Sequence, residues 1–344
     1  MPTWKQLYDN PKLKAIYDTR LSIIKATRDF FYMKNFIEVE TPIAVRYVGQ
    51  EPHLNPIPLA VKNEFDVEKK FYLQTSPEYA MKKLLAVGYE RIFQICKCFR
   101  NNERQGSLHN TEFTMLEWYR TGSELDKIMD DCEGLFNYIA KNVNGLNLAD
   151  DGNSIDLTLP WDRISMKDLW NQTLNVNLDD FFDLDKFINY AHEKGYAADD
   201  FDKYEDLFHK IFLNEIEPKL GWKKPIFIYD YPTTMCSLSK PCENDPRYAN
   251  RFELYIKGIE LANAFGELTD ADRQEKNFLR DQKQRKQSQK EIFPIDQELL
   301  SALQKIKKGA SGIALGLDRM VLLLTNSSDL NDVIFESISD QLNN

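Results

Sequence analysis

Residues 91–120 read RIFQICKCFRNNERQGSLHNTEFTMLEWYR and give the strongest indication of the fold. Its two ends, 91–99 and 112–120, are rich in the aromatic and branched apolar residues that favour β-strands. The segment between them, 101–110, is polar and contains a glycine. Two strand-like runs joined by such a segment predict a long antiparallel hairpin whose loop carries charged residues.

The segments around this hairpin predict more strands and several helices. Apolar residues at helical spacing, alternating runs and the placement of prolines set the bounds of these elements. We predict helices at 13–35, 78–87, 270–290 and 320–324, and strands at 36–40, 71–75, 225–231, 252–258, 259–268 and 312–316. An antiparallel sheet flanked by helices is typical of an α+β fold.

The chain has 344 residues, of which 42% are hydrophobic, enough for one large domain or two small ones. We predict a single catalytic domain over 1–344, with an acidic helical insertion at about 123–220 that carries no chemical motif. A net charge of -10 provides no chain-wide positive field for nucleic acid, so we do not expect tRNA binding. No run reaches the roughly 20 apolar residues that span a bilayer, and the first residues lack the apolar run of a signal peptide. We expect a cytoplasmic protein without a membrane partner.

The hairpin loop begins with a candidate phosphate ligand, Arg100. A guanidinium at a strand end can hold a phosphate and a carboxylate oxygen together through its planar fork. Phe113, on the returning strand, is an aromatic ring on which a base can stack. An ordinary charged hairpin, in which Arg100 pairs with Glu103, explains the same residues equally well.

Two carboxylates, Glu253 and Glu260, form a second candidate group. In one continuous strand they would face opposite ways, but a bulge at Gly258 would bring both to one face. There they could bind a Mg²⁺ ion that bridges phosphates. The alternative is a pair of exposed strand carboxylates.

The third candidate is the glycine-spaced run SGIALGLDR at 311–319. Glycines let a ligand approach the strand, and Arg319 opens a helix whose N-terminus attracts anions. The alternative is that Asp318 caps the helix and Arg319 pairs with Asp318.

Together these segments resemble the three signature motifs of class II aminoacyl-tRNA synthetases. Motif 1 corresponds to FIEVETP at 36–42, motif 2 to 99–117 and motif 3 to 312–319. Three further runs, TSPE at 75–78, HNTEFTMLE at 109–117 and GIELANAFGELTD at 258–270, resemble the lysine subgroup.

Motif 1 begins almost at once, so we expect no N-terminal anticodon-binding domain. The chain is similar in this to truncated lysyl-tRNA synthetase paralogues that attach a β-lysine to a lysine side chain of elongation factor P. The Ala314 of its motif 3 also fits that family, because the synthetases usually have glycine there.

The resemblance implies ATP and Mg²⁺ as cofactors, lysine or (R)-β-lysine as substrate, elongation factor P as acceptor, and a homodimer built on motif 1. It implies catalytic roles for Arg100, Glu103 and Arg319. The amino-acid pocket would be lined by Ser76, Pro77, Glu78, Tyr119, Asn263 and Glu267. ATP would be held by Arg100, Asn101, Asn102, His109, Asn110, Phe113, Glu260, Leu261, Gly316 and Arg319. The Mg²⁺ ligands would be Glu253 and Glu260.

The motif 2 loop is one residue longer than in the synthetases, which leaves both Asn102 and Glu103 as candidates for the place of their conserved glutamate. Three rival interpretations remain: a truncated synthetase that charges tRNA or another acceptor with α-lysine, a regulatory domain without catalysis, and an amide-forming ligase such as an asparagine synthetase. Arg100, Glu260 and Arg319 argue against lost catalysis. Two further carboxylates, Glu78 and Glu267, favour a cationic substrate.

Overall fold

The structure is a computed structural model that describes residues 3–102, 106–147, 149–150, 153–199, 201–338 and 341. Its internal contacts group the chain into two compact units, one formed by Met1–Gly152 with Gly266–Asn344 and the other by Asn153–Phe265. We call these the outer-segment unit and the middle-segment unit. The single catalytic domain and its insertion at about 123–220 stay a prediction.

The four helices predicted outside the insertion are present with ends shifted by up to three residues, whereas the helices at Trp4–Asp9 and Gln297–Leu303 were not predicted. In chain order they are α1 (Trp4–Asp9), α2 (Pro11–Met33), α3 (Glu78–Val87), α4 (Leu125–Asn142), α5 (Met166–Leu174), α6 (Leu184–Glu193), α7 (Tyr204–Ile211), α8 (Ala271–Gln287), α9 (Gln297–Leu303) and α10 (Leu317–Thr325).

The strands are more numerous than predicted, because several are only two to five residues long. They are β1 (Ile37–Glu38), β2 (Ala44–Val45), β3 (Pro58–Lys62), β4 (Glu68–Leu73), β5 (Arg91–Phe99), β6 (Glu112–Thr121), β7 (Ala149–Asp150), β8 (Asn153–Ser154), β9 (Asp162–Ser165), β10 (Ile226–Pro232), β11 (Tyr248–Ile256), β12 (Ile259–Gly266) and β13 (Ala310–Gly316).

The outer-segment unit is built on the predicted hairpin. Strands β5 and β6 pair antiparallel over their full length, from Arg91 opposite Arg120 to Phe99 opposite Glu112. Strand β13 pairs antiparallel with β6, and β1 pairs parallel with β5, giving the order β1-β5-β6-β13. A smaller antiparallel sheet has the order β2-β4-β3. The predicted antiparallel sheet is therefore confirmed here, with one parallel pair at its edge.

Helix α2 covers the hairpin with its apolar stripe. The Asn10 side chain accepts from two backbone N–H groups at the start of the helix, where Pro11 occupies the first turn. Deeper in the unit, the ring of Phe31 stacks on Phe93 at 4.8 Å and contacts Trp118 at 5.1 Å, centroid to centroid. Aromatic packing of this kind fixes the helix against both hairpin strands.

Helix α3 begins where its proline predicts. Pro77 is the N-cap, and Gly88 ends the helix in the left-handed conformation with φ of 113°. This places Glu78 in the first turn, directly after Ser76 and Pro77. Four residues later Lys82 lies on the same helical face.

The middle-segment unit has the strand order β12-β11-β10-β9, with β9 parallel to β10 and the other pairs antiparallel. Its helices enclose an aromatic core in which Phe181 stacks on Phe187 and Trp170 contacts Phe208. The sequence predicted mostly helix over 123–220 but missed the short strand β9.

The bulge predicted at Gly258 is wrong in position. Lys257 and Gly258 both have positive φ, at 52° and 70°, and form the two-residue turn of the β11–β12 hairpin. The register shift falls at Leu261, between the pairs Leu254 with Ala262 and Tyr255 with Glu260. Glu260 pairs with Tyr255 on the turn side of the bulge, and Tyr255 lies two residues from Glu253, so the turn itself puts the two carboxylates on one face. The bulge instead brings Asn263 opposite Glu253.

Candidate active site

Arg100 follows the end of strand β5 and lies against the returning strand. Its backbone N–H donates to the Thr111 carbonyl at 2.9 Å, which holds the two sides of the hairpin together at the loop. The guanidinium lies 5.1 Å from the ring centroid of Phe113, within cation–π range. In the part of the chain that the structure describes, the buried Nε of Arg100 has no hydrogen-bond partner. Such a donor is costly unless a ligand satisfies it, so the site suits an anion beside an aromatic face.

Arg319 extends the same site from helix α10. Its Nε donates to the Leu108 carbonyl at 3.3 Å, which places the guanidinium beside the hairpin loop. The helix starts at Gly316 without a side-chain cap. Asp318 does not cap it: its carboxylate contacts Arg20 at 2.6 Å and accepts from the Thr114 N–H at 2.6 Å. Asp318 therefore fixes the helix, and Arg319 is directed toward the loop.

The loop between the hairpin strands supplies the remaining predicted ATP ligands of this unit. Asn101, Asn102 and His109 are exposed, whereas Asn110 is buried. Asn102 has a φ of 56° in the left-handed region, which Asn tolerates better than most residues. Glu103, the other candidate for the motif 2 glutamate, lies outside the described residues.

The predicted amino-acid pocket brings two carboxylates together around a lysine. Glu78 and Lys82 lie one turn apart on α3, with Nζ 2.5 Å from the Glu78 Oε1. The same Nζ lies 2.5 Å from Oε2 of Glu267, just after β12. All three side chains are buried or nearly so. The sequence predicted Glu78 and Glu267, but not the lysine between them.

A third carboxyl group, Glu117, enters the pocket from β6. The Tyr119 hydroxyl donates to its Oε1 at 2.6 Å, and among the described residues its buried Oε2 has no hydrogen-bond partner. Gly312 lies opposite Tyr119 on β13, and an added Cβ there would lie 2.2 Å from the Tyr119 ring and 2.7 Å from Oε1 of Glu267. The glycine is thus required for this approach. Ala314 is paired with Glu117, so it lines the same face of the sheet.

Burial dominates the ionisation of these groups. It raises the pKa of Glu267 to about 7, although Lys82 acts in the opposite direction and Glu78 adds to the rise. Burial and the nearby Glu78 likewise raise the pKa of Glu117 well above its ordinary value. A cluster of carboxyl groups held this way favours a ligand that brings positive charge.

The middle-segment unit places Asn263 opposite Glu253 across the β11–β12 hairpin. Arg251 connects them, because its Nε donates to Asn263 Oδ1 at 3.0 Å and its NH2 pairs with the Glu253 carboxylate. Glu253 also accepts from the hydroxyls of Tyr231 at 2.5 Å and Tyr255 at 2.6 Å. The side chain of Asn263 is therefore oriented by Arg251.

These contacts do not suit Glu253 as a Mg²⁺ ligand. Its two oxygens already accept from a guanidinium and two phenols, so a cation would have to displace at least one of them. Glu260 shares the face, and Leu261, the residue of the bulge, is buried. Within the described ranges, no group of three or more His, Cys, Asp or Glu could hold a metal ion. The Mg²⁺ ligands named from the sequence stay a prediction.

Two signals in the sequence could have found the missed residues. Glu117 and Tyr119 are two residues apart in a predicted strand, so their side chains lie on the same face, next to each other. Lys82 follows Glu78 by four residues on a helix, the spacing of an ion pair. Arg251 offers no such signal, since its contact with Asn263 crosses a hairpin whose register depends on the bulge.

Known proteins are similar in sequence to almost the whole of this chain. A profile of the family described as tRNA synthetases class II (D, K and N) matches residues 3–336. The chain belongs to this family of ATP-dependent ligases, and the predicted class II synthetase catalytic fold is confirmed. It is 39% identical over 326 residues to the elongation factor P–(R)-β-lysine ligase of Pseudoalteromonas translucida, covering 93% of this chain and 94% of that protein.

Two further relatives have different names, one a ligase that acts on elongation factor P and the other a tRNA ligase. The elongation factor P–(R)-β-lysine ligase of Pectobacterium carotovorum is 37% identical over 323 residues, 93% of this chain and 94% of that protein. The lysine–tRNA ligase of Pelotomaculum thermopropionicum is 35% identical over 332 residues, 94% of this chain but only 63% of that protein. Among the described residues, no helix combines the length and apolar character needed to cross a membrane.

Proposed function

We propose that this chain activates (R)-β-lysine with ATP and transfers it to a lysine side chain of elongation factor P. The observation that carries the proposal is the pocket of three carboxyl groups, the buried Glu117 and Glu267 and the nearly buried Glu78, which favours a ligand with more than one positive charge. The names and near-complete coverage of the ligase relatives support the choice of substrate and acceptor.

Two steps follow from this arrangement. In the first, the substrate carboxylate attacks the α-phosphorus of ATP, pyrophosphate leaves, and an aminoacyl-adenylate forms. Arg100 and Arg319 would stabilise the negative charge on the transferring phosphate, with Phe113 against the base. In the second, the neutral ε-amine of an acceptor lysine attacks the mixed anhydride, an amide forms, and AMP and a proton leave. No nucleophile from the protein is needed, so its contribution is positioning.

Location, oligomeric state and tRNA binding are part of the same proposal. We propose a cytoplasmic enzyme, since its acceptor is a translation factor and its cosubstrate is ATP. We also expect a homodimer. We expect no productive tRNA binding, because the net charge of -10 offers no general attraction for a phosphate backbone.

A second candidate is a lysyl-tRNA synthetase-like enzyme that activates α-lysine and charges tRNA or another acceptor. The 35% identity to a lysine–tRNA ligase favours it. The two candidates share the carboxylate pocket and differ in substrate isomer and acceptor.

ATP–pyrophosphate exchange tests the activation step. We expect exchange with (R)-β-lysine, weaker exchange with α-lysine, and little with norleucine, an isostere of lysine without the side-chain ammonium. Exchange that norleucine supports as well as the lysine isomers would refute the role of the carboxylates.

The ATP site has its own test. Arg100→Ala and Arg319→Ala should each reduce exchange by ~10²–10³-fold, the usual cost of one preorganised charge contact. Arg91→Ala is the matched control, because Arg91 is exposed at the other end of strand β5. Wild-type exchange in either site variant, with normal exchange in the control, would disprove the motif assignment.

A further inference from the structure

Lys82 is a buried cation with two carboxylate partners from distant parts of the sequence. Its side chain is 2% exposed, and those of Glu78 and Glu267 are 12% and 1% exposed. Each contact measures 2.5 Å from Nζ to a carboxylate oxygen. A buried ammonium is costly unless it is paired this well.

Helix α3 does not need this lysine for its own packing. Its other buried side chains, Met81 and Leu85, are apolar, and an apolar residue at position 82 would extend that face. Replacing a buried ion pair by apolar residues is often neutral or stabilising. The retention of a charged residue here therefore points to the carboxylates that it contacts.

The charges of the pocket are balanced against a particular ligand. Three carboxyl groups, Glu78, Glu117 and Glu267, surround one ammonium. Burial favours the protonated form of Glu117 and Glu267 in the empty pocket, so the cluster reaches two net negative charges when a bound cation favours the ionised form of all three. One oxygen of Glu78 and one of Glu267 contact Lys82, which leaves the second oxygen of each for other partners. The Oε1 of Glu267 faces Gly312 and the Tyr119 ring.

We propose that Lys82 is a positioning residue that acts as a built-in counter-ion, holding Glu78 and Glu267 and limiting the pocket charge to match a diammonium amino acid. The inference rests on the proposed function for the identity of that amino acid. The effect of Lys82 on the neighbouring carboxyl groups is a property of the ligand-free protein and does not depend on which substrate binds.

The ionisable groups around Lys82 come from four parts of the chain. Glu78 shares its helix, Glu117 and Tyr119 face it from β6, Cys96 adjoins Glu117 from β5, and Glu267 follows β12. Burial alone would lower the pKa of Lys82, but Glu267 and Glu78 together raise it above its usual value. Lys82 opposes the burial-driven rise in the pKa of Glu267. Removing the lysine should therefore leave a carboxyl group that keeps its proton to higher pH.

The test compares Lys82→Met with Lys83→Met in the full chain. Lys83 is the neighbouring lysine on α3, half-exposed and paired with Asp296 at 2.7 Å outside the pocket. In Lys82→Met the KM for (R)-β-lysine should rise about a hundredfold, the scale of a lost buried charge partner, while the KM for ATP stays near the wild-type value. Lys83→Met should change neither constant.

A second measurement needs no substrate. A carboxyl group whose folded pKa lies above its unfolded value contributes stability at low pH that is lost as pH rises through the folded pKa. The melting-temperature deficit of Lys82→Met should therefore widen from about pH 6 to about pH 9, and that of Lys83→Met should not. Adding Glu267→Gln to Lys82→Met removes the unpaired charge, so the double variant should fold and lose this pH dependence without recovering the KM.

The outcomes separate the two proposals. A pH-independent deficit in Lys82→Met, or an unchanged KM for the amino acid, overturns the role of Lys82 while wild-type exchange still supports the function. If the wild type activates no lysine isomer but the deficit still widens with pH, the proposed function fails and the counter-ion role stands.

Discussion

The carboxyl group of Glu267 shows how burial adapts one side chain to its ligand. Because burial raises its pKa to about 7, a modest change in pH switches it between a neutral acid and a carboxylate. Only the carboxylate can neutralise an ammonium group of the substrate.

We therefore expect the KM for (R)-β-lysine to rise as pH falls through about 7, while the KM for ATP changes little. Steady-state exchange kinetics between about pH 6 and about pH 8.5 measure both constants. In Glu267→Gln the KM for the amino acid should be high at every pH. An amino-acid KM that is flat across this range in the wild type would contradict the assignment.

Ala314 is the residue on which the choice of lysine isomer should depend. It lies opposite Glu117 on the neighbouring strand, so its methyl group borders the carboxylate pocket. One methylene-scale change alters discrimination by ~1–3 kcal/mol, so Ala314→Gly should raise kcat/KM for α-lysine by roughly ten- to two-hundred-fold. ATP binding should stay the same, because Gly316 and Arg319 are untouched. A wild type that already prefers α-lysine, with no effect of the substitution, would favour the synthetase-like candidate.

Among the helices and strands, the bounds were predicted best where they depend on residues within the element itself. The strand at 91–99 and the helix at 78–87 match the structure, since apolar spacing, Pro77 and Gly88 all act within a few residues. The bulge in β12 could not be located, because it depends on register between two strands. The contacts of Lys82 with Glu267 and of Arg251 with Asn263 were missed for the same reason: each joins residues that no local pattern connects.

Helix α8 carries a basic run at 280–290, and such a charge run is usually a solvated face. Lys283 and Lys286 are indeed exposed, but Arg285 is only 2% exposed. Its guanidinium lies 4.2 Å from the ring centroid of Phe293 and donates to three backbone carbonyls, those of Glu51, Leu54 and Glu291. Arg285 therefore anchors two loops rather than offering charge to an acceptor.

This anchoring predicts a large effect on stability. Arg285→Ala leaves three carbonyls without their donor, and we expect it to lower the free energy of unfolding by about 3 kcal/mol, the scale of a broken buried charge contact. Lys286→Ala, one residue along and exposed, should have almost no effect. Denaturant midpoints of the two variants measure the difference, and equal midpoints would show that the buried contacts of Arg285 contribute nothing.

At the scale of the whole molecule, the motif 1 region has an apolar surface that a second copy would cover. Tyr32, Met33, Ile37 and Ile43 are 44–57% exposed, and Ile37 lies in β1, at the end of the strand order of its sheet. Edge strands with exposed apolar residues are usually covered by a partner.

We predict a homodimer, with Ile37→Asp shifting it to the monomer by placing a charge in the covered surface. Light scattering at micromolar concentration measures the mass of both proteins. Leu159→Asp is a control, because Leu159 is 45% exposed but distant in sequence from motif 1. A monomeric wild type would refute the dimer.

In the proposed function, the carboxylate pocket serves the transfer of (R)-β-lysine to a protein. The most direct measurement supplies purified enzyme, ATP and each lysine isomer to elongation factor P and to tRNA in parallel, and follows the mass of the factor and the acylation of the tRNA. We predict that (R)-β-lysine adds one lysyl group to a single lysine side chain of elongation factor P, with no charged tRNA. Acylated tRNA with an unmodified factor would contradict the account and establish the synthetase-like activity instead.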